Sequence, residues 1–174
     1  MPLNKYAPQV ATHRRTQAAI LEGAKELIAT VGLTKMSMIE IADTSQVSRA
    51  TLYNHFRDKD SVIAALCESE CARLITIIDS AANATDALEL LSTAICSDRA
   101  LANMRIHDPA ALARGLCAVQ SPLWSEFGVG LAVILQSQVL ADLAMRWLIG
   151  QVLNPLTPED SRLQAELLIS RANL

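Results

Sequence analysis

Apolar residues recur at helical spacing along most of the chain. Between residues 16 and 31, Ile20, Ala24, Leu27, Ile28 and Val31 share one face, which is the 3.6-residue period of a helix. Gly32 follows as a stop. Ser37 with Glu40 three positions on is a capping-box signature: the hydroxyl takes the N3 amide and the carboxylate returns to the N-cap amide. It opens a short helix ending near Thr44. Ser48 caps a second short helix through about His55. Asp58 caps a long helix over 59–82, with Val62, Ala65, Leu66, Leu74, Ile77 and Ile78 as its apolar positions. Further helices are predicted over 86–103, 109–118, 122–137 and 139–153, and a last one over 158–172 with Pro158 at its first position. Neither Gly nor Pro separates Gln136 from Gln138, so the sequence leaves open whether 122–153 is one helix or two. No stretch alternates apolar and polar residues between turn signals, as a strand would. The expected fold is all-α, with about nine helices by this reading. A first helical domain over 1–58 is expected to precede a second over 59–174.

The strongest local signal lies between Ser37 and Phe56. Two short helices meet at Ser45-Gln46-Val47, with Ile41, Ala42, Val47, Leu52 and Phe56 inward. This is helix-turn-helix geometry, whose second helix fits the DNA major groove. Its outward residues are Arg49, Ala50, Thr51, Tyr53, Asn54 and His55. No acid stands among them to repel phosphate. The plain alternative is a helical hairpin inside an all-α core. Charge adds a little to the first reading. Residues 1–60 carry a net +2 and residues 61–174 a net −5, so a polyanion is expected to meet only the head.

The segment over 20–66 resembles the N-terminal domain of TetR-type transcriptional regulators. The most specific part is Val47-Ser48-Arg49-Ala50-Thr51-Leu52-Tyr53-Asn54-His55-Phe56, with Lys59 three residues on. The resemblance implies that Ser37 offers its hydroxyl or amide to a phosphate. Ser48 would cap the recognition helix and touch phosphate. Arg49 and Thr51 would face base edges, with Asn54 beside them. Tyr53, His55 and Lys59 would contact the DNA backbone. Arg14 and Arg15 precede the first predicted helix and would add phosphate or minor-groove contacts, the alternative being a solvated arm. Two positions depart from the family pattern. Gln46 stands where the family usually has Gly, which implies a strained or altered turn. Ile39 stands where the family is commonly polar, and is expected to pack against the fourth helix.

The resemblance further implies a ligand cavity and a dimer interface in the body, the interface made by the last two helices. Leu140, Leu143, Ala144, Trp147, Leu148 and Val152 form one apolar stripe there, and Leu163, Leu167 and Leu168 another. With 51% hydrophobic residues but only 3% aromatic ones, and a mean hydropathy of +0.26, a mainly aliphatic small-molecule effector is the better match. Met104, His107, Trp124 and Phe127 are the candidate ligand-binding residues. The expected partners are therefore double-stranded DNA, a second copy of the chain and an apolar effector.

Other functions find little support. His13, His55 and His107 stand in no catalytic motif, and HExxH, P-loop and GxSxG patterns are absent. Gly128-Val129-Gly130 lacks a third glycine and follows no strand. Neither catalytic residues nor a cofactor are expected. No histidine lies at ligand spacing from a cysteine, so no metal is expected either. The cysteines Cys67, Cys71, Cys96 and Cys117 read as buried small hydrophobes. The longest aliphatic run, 129–135, falls far short of the roughly 20 residues of a membrane span. Residues 1–15 lack the apolar core of a secretory signal, so the expected location is cytoplasmic. The remaining alternative is a helical dimeric ligand-binding or interaction protein with a vestigial helix-turn-helix head.

Overall fold

The computed structural model describes residues 7–117 and 122–170. Among them are ten helices and no strand: α1 (Ala7–Thr30), α2 (Met38–Thr44), α3 (Arg49–His55), α4 (Lys59–Ser80), α5 (Ala84–Cys96), α6 (Arg99–His107), α7 (Pro109–Cys117), α8 (Pro122–Leu135), α9 (Gln138–Leu153) and α10 (Pro158–Ser170). The chain divides into two compact units after Cys67. That division falls inside α4, not at its start between residues 58 and 59. Lys59, in the first turn of α4, is bonded to the backbone at Leu33 and Met36, which keeps this turn with the first unit.

In the first unit the expected face of α1 is buried through Ile20, Ala24, Leu27 and Ile28. Val31 is 36% exposed, because α1 ends at Thr30. The amides of Val31 and Gly32 both turn back to the Leu27 carbonyl, at 2.7 and 3.1 Å. At the other end α1 begins at Ala7, nine residues ahead of the 16–31 expectation. Residues 7–15 hold few apolar groups, so hydrophobic period could not register that part of the helix. Gly23 permits a close approach. A Cβ there would lie 3.1 Å from the Ser45 backbone nitrogen and closer still to its hydroxyl, so a larger residue would make Ser45 at the end of α2 give way.

The second unit is built around Leu88, Leu91, Phe127, Leu131, Ala144 and Leu148, from α5, α8 and α9. A polar knot sits in its interior. Ser161 Oγ donates to Ser92 Oγ, and Ser92 Oγ donates to Gln151 Oε1. Cys96 Sγ donates to the same oxygen at 3.3 Å. Because Ser92, Gln151 and Ser161 are each at most 2% exposed, these bonds fix how α5, α9 and α10 meet, since buried polar groups tolerate no shift that unpairs them.

Several expectations are corrected here. The helix expected over 86–103 is two helices, because Asp98 accepts the Leu101 amide at 3.0 Å and caps α6. The open question at Gln136 resolves as a break. Gln136 takes a left-handed φ of 52°, and Ser137 caps α9 through the Leu140 amide at 3.3 Å. The stripe expected on α9 also divides. Ala144, Leu148 and Val152 are buried in the unit's own core, whereas Leu143 is 46% exposed. Trp147 is half-buried and donates its indole N–H to Gln164 of α10 at 2.8 Å. None of the four cysteines is in a disulfide, but Cys67 and Cys117 are exposed and only Cys71 and Cys96 are partly covered. Ala118 and residues 171–172, which the predicted helices included, lie outside the described residues.

Candidate nucleic-acid interface

The helix-turn-helix is set by caps at each joint. Ser37 and Glu40 close a full capping box at the start of α2. The end of α2 is closed by Ser45, whose amide donates to Ile41 at 3.0 Å, and the Val47 amide donates to Ala42 at 3.0 Å. Between them Gln46 holds a left-handed φ of 56°, the conformation that the missing glycine would adopt more cheaply. Ser48 caps α3 by accepting the Thr51 amide at 3.0 Å, and its hydroxyl pairs with that of Thr51 at 2.8 Å. Ile41, Ala42 and Leu52 are fully buried and Phe56 nearly so, while Val47 is half-buried. This inner row turns Arg49, Ala50, Tyr53 and Asn54 outward, and all four are exposed. Tyr53 is 54% exposed. A large ring left in water without a partner among the described residues is the feature a binding surface accounts for.

Not every expected DNA residue faces out. Both donors of Ser37 are used within α2: its N–H and O–H each reach Glu40 Oε2, at 2.9 and 2.7 Å. Thr51 is half-buried and its hydroxyl stays with Ser48. Lys59 Nζ donates to the carbonyls of Leu33, Thr34 and Met36, at 2.7, 3.2 and 2.9 Å. Three acceptors match the three protons of an ammonium, so the phosphate contact expected of Lys59 would break an existing bond. Ile39 does not pack away. It is 47% exposed. Arg14 and Arg15 are exposed, but they stand on α1 and not on an arm ahead of it.

His55 is half-buried at the end of α3, where its ring meets that of His13 with centroids 4.1 Å apart and planes tilted by 38°. Its Nδ1 is buried with no hydrogen-bond partner among the described residues. Burial, and then the neighbouring His13, hold its pKa below the usual histidine value of 6.5. Nothing local in the sequence signals this pair, because the two rings come together only when α1 packs on α3. Asp58 closes the site at the start of α4. It accepts the Ser61 amide at 2.9 Å and the Arg57 guanidinium at 2.9 Å, and these bonds hold its carboxyl below the usual range.

The four candidate ligand residues are spread by the fold. Phe127 is buried in the core of the second unit and Met104 packs against that core. Trp124 is half-buried in the first turn of α8, while His107 is exposed at the end of α6. Among the described residues no group of three or more His, Cys, Asp or Glu is placed to hold a metal ion. No single described helix is long and apolar enough to cross a membrane.

Comparison with known proteins finds a family profile that matches the helix-turn-helix. Residues 20–66 match the sequence profile described as bacterial regulatory proteins, tetR family. Over 64 residues the chain is 33% identical to an HTH-type transcriptional repressor of Mycobacterium tuberculosis, a stretch covering 37% of this chain and 33% of that one. The match thus spans about a third of that relative's length. The Salmonella enterica protein GusR aligns over 90% of this chain and 93% of its own, at 20% identity and a TM-score of 0.64. The TetR family repressor AlkX from Dietzia sp. aligns over 90% and 95%, at 16% identity and a TM-score of 0.63. At these identities the two structures establish the shared fold. Residues 20–66 thus resemble the helix-turn-helix domain of the tetR family of bacterial regulatory proteins, and the chain shares its all-α fold with the solved regulators.

Proposed function

We propose that this chain is a sequence-specific DNA-binding transcription regulator that acts as a homodimer in the cytoplasm. The observation that carries this reading is the outer face of α3. Arg49, Ala50, Tyr53 and Asn54 are all exposed, no carboxylate lies on that helix, and buried Leu52 sets its orientation. Arg49 at the first position of α3 suits bidentate reading of a guanine edge. Asn54 suits an adenine edge, and Tyr53 suits a phosphate oxygen. Selection of bound sequences from random DNA tests the reading: a palindrome is expected, with affinity falling steeply as salt rises. Arg49→Ala should cost roughly 1–3 kcal/mol and relax preference at one base pair per half-site. A uniform loss at every sequence would make Arg49 a phosphate contact. Absence of salt-sensitive binding would favour the dimeric ligand-binding alternative.

In its finer form, the protein is a repressor released from its operator by a small apolar effector bound in the second unit. The support is compositional: many aliphatic residues and few rings, with Phe127 in the core of the second unit and Met104 packed against it. Thermal shift and DNA titration across fatty acids, acyl thioesters and terpenoids test it. The expected result is a compound that raises the melting point and lowers DNA affinity together. A 100-fold loss needs about 2.7 kcal/mol of coupling. If no compound does both, the protein is a ligand-independent regulator.

A further inference from the structure

Lys59 is an unusual residue for its place. It is the first residue of α4, where the positive end of the helix dipole disfavours a cation. Its ammonium lies against the carbonyls of Leu33, Thr34 and Met36, 26, 25 and 23 residues earlier in the chain. These carbonyls belong to the connection between α1 and α2. Met36, 2% exposed, directly precedes Ser37, the N-cap of α2. The backbone at Lys59 is held in turn, because Asp58 and Ser61 cap the first turn of α4 reciprocally: Asp58 N–H donates to Ser61 Oγ at 3.1 Å and Ser61 N–H to Asp58 Oδ1 at 2.9 Å.

We infer that Lys59 is a positioning residue for DNA binding. It acts through the backbone of the α1–α2 connection and is not a ligand of phosphate. The inference rests on the DNA-reading function proposed above. Its positive charge is matched by carbonyl oxygens, and turning toward DNA would strip a carbonyl of its bond. By tying α4 to the residues just before Ser37, Lys59 sets where the capped start of α2 sits. A displacement of the first turn of α4 is passed to α2 by the same bonds.

The test compares the full-length protein with Lys59→Met, which keeps the stem and removes the donors. Two probes are used across a range of salt concentrations: a random-sequence duplex and the palindrome selected from random DNA. The substitution should lower affinity roughly tenfold on both duplexes, as expected for one lost charged hydrogen bond. The slope of log affinity against log salt should not change. Amide exchange at Ser37 and Glu40 should quicken. A slope smaller by about one would mark a lost phosphate contact and overturn the inference, and so would unchanged affinity or unchanged exchange. Should Lys59→Met fail to fold, nitrogen-detected NMR of the unaltered protein decides. Hydrogen-bond couplings from the Lys59 ammonium to the Leu33 and Met36 carbonyl carbons should persist with DNA bound, and their loss on DNA addition overturns the inference. If the unaltered protein binds neither duplex, the proposed function fails first, before any substitution is compared.

Discussion

Gln46 carries the strain of the helix-turn-helix. Its φ of 56° costs a residue with a Cβ about 1–2 kcal/mol. Gln46→Gly is therefore expected to raise stability by about 0.5–1 kcal/mol in urea unfolding, with DNA preference unchanged. A loss of stability would mean that the glutamine side chain contributes more than its backbone costs. His55 gives a pH-dependence whose sign follows from its lowered pKa. The unfolded chain binds this proton more readily than the folded chain does. The stability tied to the site is thus complete above the usual value of 6.5 and is lost as pH falls through the lowered folded value. His55→Gln should flatten the fall in melting temperature between about pH 7 and pH 5. His13→Gln should move the His55 proton-NMR titration upward, since the neighbouring ring that lowers it is removed. A His55 titration unmoved by His13→Gln would assign the whole shift to burial.

At the scale of elements, caps decide where helices start. Ser37, Ser48, Asn83, Asp98 and Ser137 each accept an amide from the first turn that follows. The two short helices of the helix-turn-helix were legible because their caps stand at turns that the hydrophobic period also marks. Asp98 was not, since apolar spacing continues through it and the period alone runs 86–103 together. Asp98→Ala should cost about 1 kcal/mol in urea unfolding and leave DNA affinity unchanged. A larger cost would show that the α5–α6 break holds more than one helix end.

At the scale of the whole molecule, exposure separates core from candidate interface. Leu148 and Leu143 share α9 and read alike in the sequence, yet Leu148 is 2% exposed and Leu143 is 46% exposed. Val139, Leu153, Leu163 and Leu167 are also exposed, at 70, 55, 45 and 58%. Leu143→Glu should therefore leave a folded chain that sediments as a monomer and binds the palindrome weakly. Leu148→Glu should unfold the protein, because it buries an unpaired charge. A Leu143→Glu variant that remains dimeric would move the interface away from α9.

What the sequence determined by itself is whatever rests on residues close together in the chain. Helical period, cap spacing and the string from Val47 to Phe56 suffice for an all-α fold and for a second helix of the helix-turn-helix that turns Arg49, Tyr53 and Asn54 outward. The tertiary structure decided what depends on residues far apart. Lys59 meets carbonyls more than twenty residues away. His55 meets His13 across two helices. Ser92, Gln151 and Ser161 form a knot from three elements. A polar or charged side chain has the same local signature whether it faces water, DNA or a distant backbone oxygen. Only packing determines which of these it finds, because unpaired polar groups are costly once buried, and each such group must take the partner the fold brings to it.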